Sequence, residues 1–496
     1  MPQLNGLHDF GALRFGHQAE IRRDAVESVR DAVRESDVRD LYIVIHGAHN
    51  DEAVTRSVDE AFGKLLADVW GRSADRAGVL GVHWSSLCFR DEGLPLDEAG
   101  AKGASGEGPG ITPALREDLF RALPDSEGQL TEILALLDER PARESAFDSL
   151  GSALRSLAEI PLQDPLAGFA ADTRAEVVPQ TDPLMLFEDT RTMCAEFAGA
   201  LNDVRRSLEE RSGKPARHES GIGESAVSEE GTLLESRVTG PRPAQPPSER
   251  VRRVGTTDGG HAAGYGRAAQ DHAELWDGAH ELFRQVIRHV LRRRAGLVGQ
   301  EGFGPILPML VEGSDVRLHV IGHGLGGRLA GFALRGLEVS PSEPVLLDSL
   351  TLLQGEMSHF AFAGSLPQQV TGHGALWGLQ RLVRGPLICT FSHLDFHLGV
   401  MYPLSAQMIG DSSGLVSTSR KWGALGFDGV QGVDGPAPMT LRDATEQQSL
   451  MQESQAVTYL NVDASEVVRC DELPMGGHHH VFHPQVGRLL WLAAQR

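Results

Sequence analysis

Gly322-His323-Gly324-Leu325-Gly326-Gly327 carries the most specific chemical content in the chain. It joins a β-prone apolar run to a helical pattern, so it reads as a tight glycine turn feeding a helix. Helix N-termini attract anions, which makes phosphate one candidate ligand. Gly322, Gly324 and Gly327 match the letters of G-x-G-x-x-G, but a dinucleotide fingerprint belongs on the first βα unit with an acid about 20 residues on. A carboxylate and an imidazole follow, Asp395 in PLICTFSHLDFHLGVMYPL and His478 in MGGHHHVFHPQVGRLLWLA. Those are the group types used to orient and move a proton. Read singly, each is an ordinary solvated loop residue. His478, His480 and His483 could supply three zinc ligands. Adjacent loop histidines rarely converge on one ion, however, and no acidic partner stands at a ligand spacing, so neither metal nor cofactor is expected. Ser85, Ser86 and Ser392 offer hydroxyls near strand ends, useful as nucleophiles only within about 3 Å of a base.

The elements that must position these groups read as α/β. Leu41–Ile45, LYIVI, suits a strand covered on both faces and ends in His46-Gly47-Ala48. Val54, Val58, Ala61, Phe62, Leu65, Leu66 and Val69 then mark one helical stripe, and AGVLGVHWSS a second buried strand. Strand, helix and strand in that order imply a parallel sheet. Residues 97–110 read as a loop and about 112–212 as helical, with Met193, Phe197, Leu201, Val204 and Leu208 on one stripe. The stretch 212–262 is poor in large apolar residues and rich in Gly, Pro, Ser and Glu, so it is expected to be disordered. Patterning resumes with a helix through Leu275–Leu291, strands at Val316–Ile321, Val345–Leu353, Leu387–Phe391 and Val457–Val462, and a closing helix Val486–Ala494. The expected division is 1–96 and 263–496 as two parts of one α/β core, 97–211 as a helical insertion and 212–262 as a disordered linker.

Strand–Gly322-His323-Gly324-Leu325-Gly326-Gly327–helix resembles the nucleophile elbow of α/β-hydrolases, commonly Gly-His-Ser-Leu-Gly-Gly in lipase and esterase relatives. Flanking glycines are required there because the strand reverses into the helix so sharply that side chains two places away would collide. Gly322 and Gly326 meet that demand, with His323 between strand and turn, but Gly324 stands where the family has its serine. The resemblance implies Asp395 as the acid and His478 as the histidine, in the family's chain order. It further implies that Ala48, after His46-Gly47, and Leu325, after the elbow position, lend backbone N–H groups to an oxyanion. Such donors are each worth roughly 2.7–4 kcal/mol where tested. A bacterial branch is similar through LLDSLTLLQGEMSHFAF, YPL and KWGALGFDG; its histidine loop resembles Gly-Ala-His-Ser-Asp-Ile-x-His-Pro, from which this chain departs at His479 and His480. The likeness covers about 40–95 and 268–496.

Composition narrows the rest. With 41% hydrophobic residues among 496, the chain can bury a sizeable core. A net charge of −22 argues against a nucleic-acid surface, which needs a basic patch. The chain has no apolar stretch of about 18–20 residues, no basic-then-apolar leader and no CxxC, so a cytoplasmic location is expected. The leading expectation is an α/β-hydrolase fold, a mainly parallel sheet flanked by helices, that has lost acyl-enzyme chemistry with its serine and binds a small acyl or ester-type ligand. Residues 97–262 are the place for a protein partner. The alternatives are a working hydrolase using a displaced serine, activated water or a metal, and an active serine hydrolase whose Ser was substituted at 324.

Overall fold

Alternate residues of the strand β3 (Asp40–Ile45) go to different cores. Leu41, Ile43 and Ile45 join one hydrophobic cluster, while Tyr42 and Val44 join another. Side chains of a strand alternate between faces, so a run apolar at every position must be covered on both sides. The computed structural model describes residues 3–4, 6–49, 52–71, 76–89, 111–158, 171–175, 189–211, 264–339, 346–367, 372–385, 387–409, 423–446, 459–469 and 477–495. The stretch 212–262, expected to be disordered, and the loop 97–110 lie outside these residues.

The strands are β1 (Gln3–Leu4), β2 (Leu7–Phe15), β3, β4 (Ala77–Trp84), β5 (Thr173–Ala175), β6 (Arg317–His323), β7 (Ser349–Leu353), β8 (Gly372–Gly374), β9 (Leu387–Phe391), β10 (Met439–Thr440) and β11 (Tyr459–Asp463). Nine form one sheet in the order β1-β2-β4-β3-β6-β7-β9-β11-β10, and β5 pairs with β8 apart from it. Within the large sheet only β1 and β2 run antiparallel. One face is covered by α2 (Glu52–Trp70) and α13 (Pro484–Ala494), whose Val58, Phe62, Leu66, Val486 and Leu489 meet Tyr42 and Val44. The other face carries α1 (Arg23–Glu35), α7 (Gly264–Leu297), α8 (Gly304–Leu310) and α9 (Leu325–Glu338).

The expected helical region holds α3 (Pro113–Ala122), α4 (Glu127–Glu139), α5 (Ser145–Ala158) and α6 (Thr190–Arg211). Its Leu119, Leu134, Leu150 and Phe197 belong to the same hydrophobic cluster as Leu41 and Ile43, through α7. The remaining short helices are α10 (Tyr402–Ile409), α11 (Leu425–Asp428) and α12 (Leu441–Glu446). No helix among the described residues is long and apolar enough to cross a membrane.

Three differences from the sequence reading stand out. Regular structure begins before Leu41, with β2 and α1; β2 carries a register shift between Asp9 and Ala12 that breaks its alternation. The strand expected from Val345 begins at Ser349, since Leu347 makes only an isolated bridge to Val383. β6 runs two residues further than expected and ends on His323, which places that residue at the carboxyl end of the sheet.

Candidate functional site

β3 leads to β4 on one side and β6 leads to β7 on the other, so the sheet order reverses between β3 and β6. Ligands of open α/β sheets bind outside the carboxyl ends of strands at such a switch point. The two segments singled out from sequence meet there, His46-Gly47-Ala48 after β3 and Gly324 after β6.

Gly324 has φ +54° and ψ −120°, outside the regions that residues with a Cβ prefer. Its N–H donates to the Leu353 carbonyl at 3.0 Å, and its own carbonyl accepts from the N–H groups of Gly327 (3.0 Å) and Glu356 (2.9 Å). The flanking glycines are required by close approach. A Cβ on Gly322 would fall 2.5 Å from the Gly326 carbonyl oxygen, and one on Gly326 would fall 2.3 Å from that of Ile45. α9 therefore starts directly against the end of β3.

His478 and Asp395, solvated when read singly, are both buried. His478 Nδ1 lies 2.7 Å from Asp395 Oδ2, a geometry in which the imidazole N–H donates to the carboxylate. Asp395 Oδ1 accepts from the Leu398 N–H at 3.0 Å, fixing the carboxylate in turn. The other edge of the ring faces the glycine turn: a Cβ at Gly324 would stand 3.0 Å from His478 Nε2 and 4.0 Å from Gly47 Cα. Turn, imidazole and carboxylate are thus aligned. Ala48 and Leu325 flank the same point, and among the described residues neither backbone N–H has a hydrogen-bond partner. At this point the chain presents the His478 Nε2 edge beside residue 324, which has no side chain to attack with.

Imidazoles crowd the site. The His478 ring centroid is 5.1 Å from that of His323, 5.0 Å from His479 and 5.3 Å from His397, and His46 lies 5.2 Å from His49. Burial, then the neighbouring His478 imidazole, pushes His323 down to about 4. Burial, then His83, pushes His46 down to about 3. His49 and His479 lie well below the ordinary histidine value, first through burial. These rings are therefore neutral near pH 7. Of the three histidines considered as ligands from sequence, only His478 belongs to the group that converges. His323, His478 and His479 each bring a ring nitrogen within 4.8 Å of the others, whereas His480 is half-buried and His483 precedes α13 as its N-cap.

Sequence reasoning missed the brace beneath the turn. Glu356, whose N–H holds the Gly324 carbonyl, pairs with Arg288 of α7 at 2.8 Å and with His397 at 3.3 Å, all buried. Burial alone would raise the Glu356 carboxyl, but Arg288, His397 and Arg292 together hold it well below the usual carboxylate range. Nearby, Arg328 of α9 pairs with Asp172, which also accepts from the Ser358 N–H at 2.7 Å. Charges on α7 and α9 gave no sign in the sequence of facing inward.

The hydroxyls considered as displaced nucleophiles are held elsewhere. Ser86 Oγ closes on the backbone of His49, Ser85 Oγ accepts from Arg294, and Ser392 Oγ donates to the Val468 carbonyl. A Ser–His–Asp chain does exist, at the opposite, amino-terminal end of the central strands. His319 lies 2.9 Å from Ser349 Oγ and 3.0 Å from Asp40 Oδ1, tying together the amino-terminal ends of β7, β6 and β3. All three are buried and His319 stacks on Tyr42 at 5.0 Å, so this chain acts as a cross-strand register lock.

No known protein family matches the chain, and neither a curated protein nor a solved structure matches it significantly.

Proposed function

We propose that the protein is an α/β-hydrolase-fold protein whose nucleophile position has become glycine, and that it binds a small acyl or ester-type ligand without forming an acyl-enzyme. One observation carries the reading: the missing Cβ of Gly324 points at His478 Nε2 from 3.0 Å, while His478 Nδ1 is held by Asp395 at 2.7 Å. Acid, histidine and elbow follow the order of a triad whose serine is absent, and a side chain at 324 needs the His478 ring to draw back by a few tenths of an ångström. The location at the switch point of a parallel sheet and the two backbone N–H groups of Ala48 and Leu325 support the same reading. In the family's chemistry serine attacks, the histidine takes and returns its proton, and the acid orients the histidine. Loss of a triad nucleophile has cost about 10⁶ in kcat elsewhere, leaving only the contributions of binding and the oxyanion donors. Those contributions suit a binding site for a carbonyl or carboxylate oxygen.

A fluorophosphonate probe tests this by adduct mass. The expected result is no adduct on the native chain and one adduct, on residue 324, in Gly324→Ser. Labelling of the native chain would show another attacking residue and overturn the reading. Absence of labelling in a folded Gly324→Ser would remove the assignment of Asp395 and His478.

A further inference from the structure

The trio His323, His478 and His479 has two of its tautomers set by hydrogen bonds. His478 Nδ1 donates to Asp395, which leaves Nε2 with a lone pair. His323 Nε2 faces the His478 carbonyl oxygen at 2.9 Å and must donate to it, which leaves Nδ1 with a lone pair. Both of those nitrogens lie beside glycines. A Cβ on Gly324 would stand 3.0 Å from His478 Nε2, and one on Gly47 would stand 3.3 Å from His323 Nδ1. His479 supplies the independent sign. It is only 7% exposed, yet neither of its ring nitrogens has a hydrogen-bond partner among the described residues. His49, 4% exposed with Nε2 likewise unpartnered, has its ring 6.5 Å from that of His479. Buried polar groups are normally satisfied, so a cluster of orphaned imidazole nitrogens asks for a partner.

We infer that His323, His478 and His479 form a three-imidazole site for a borderline divalent transition cation, with Zn²⁺ as the representative ion. One ring nitrogen of each residue already lies within 4.8 Å of the others. Zn–N bonds of about 2.0–2.1 Å require these nitrogens to draw in to roughly 3.3 Å. An all-nitrogen donor set disfavours Mg²⁺ and Ca²⁺, which take oxygen ligands. Asp395 behind His478 is the carboxylate that orients a metal-bound imidazole. Three protein ligands leave a fourth position open, as in sites that bind a water or an exogenous oxygen ligand. Gly324 is the enabling residue, because a serine there would hydrogen-bond to the His478 lone pair that the cation needs. The site shares His478 with the acyl-ligand reading but is filled by the metal alone, so it is tested without an acyl ligand.

The test is titration of untagged, chelator-treated full chain with Zn²⁺ by calorimetry, with Co²⁺ absorption reporting geometry. One Zn²⁺ per chain and an intense tetrahedral Co²⁺ spectrum are expected. His479→Ala should abolish stoichiometric binding, Asp395→Asn should weaken it about 10–100-fold, and His480→Ala should leave it unchanged. Should His479→Ala fail to fold, His479→Gln gives the same comparison. No stoichiometric Zn²⁺ on the native chain, or equal losses in His479→Ala and His480→Ala, would overturn the assignment. Neither result bears on fluorophosphonate labelling of Gly324→Ser, so the two readings fail separately.

Discussion

Replacing Gly324 by alanine isolates the geometry on which the site reading depends. Two costs are expected. The backbone at φ +54°, ψ −120° costs a residue with a Cβ on the order of 1–3 kcal/mol. The new methyl would also stand 3.0 Å from His478 Nε2, so the ring must give by a few tenths of an ångström. It is poorly placed to do so, with Nδ1 held by Asp395 and its carbonyl held by His323. Overpacking of this kind adds about 1–3 kcal/mol. Serine bears the same two costs but recovers about 0.5–1.5 kcal/mol through a hydrogen bond from Oγ to Nε2. The expected order of stability is therefore glycine, then serine, then alanine. Urea unfolding followed by circular dichroism, at unchanged m-value, gives the order from the midpoints. Repeating Gly324→Ala in a His478→Ala background removes the contact and leaves only the backbone cost, so a coupling of about 1–3 kcal/mol is expected from the cycle. An alanine variant as stable as the native chain, or a coupling near zero, would refute the placement of His478 against residue 324.

Four further outcomes follow from the same geometry. In a Gly324→Ser background, Asp395→Asn should slow fluorophosphonate labelling about 10⁴-fold by favouring the wrong His478 tautomer; an unchanged labelling rate would count against the Asp395 role. Glu356→Gln leaves Arg288 and His397 without their buried carboxylate and should cost about 3–5 kcal/mol in unfolding experiments. His46, pushed down to about 3 by burial and then by His83, takes its proton more readily in the unfolded chain; its folding contribution is lost as pH falls below about 6.5, at about 1.4 kcal/mol per pH unit and roughly 3 kcal/mol by pH 4, and His46→Gln should flatten that slope in pH-dependent unfolding. His319→Ala breaks the register lock with Asp40 and Ser349 and should cost about 1–3 kcal/mol, while labelling of Gly324→Ser, followed by mass, stays the same.

Much of the scaffold was legible because it depends on local pattern. LYIVI reads as a two-sided strand from apolar residues alone, and β3 occupies that run. The stripe from Val54 to Val69 reads as a helix from its spacing, and α2 spans it. β2 was not legible, since its register shift interrupts the alternation that marks a half-buried strand. α1 did carry a signal, Val26, Val29 and Val33 at helical spacing, all buried.

What the sequence by itself determined is a parallel α/β sheet, a glycine turn between strand and helix, and glycine at its centre. These follow from residue type and from spacings of two and of three to four, which neighbouring residues set among themselves. Only the tertiary structure decided which side chains share the site. Gly324, Asp395 and His478 are scattered along the chain, and only strand order at the switch point brings them together. It likewise selects His479 over His480 beside His323, because consecutive residues in a turn point different ways. It buries Arg288 against Glu356, a pairing set by where α7 packs against the glycine turn rather than by any local pattern.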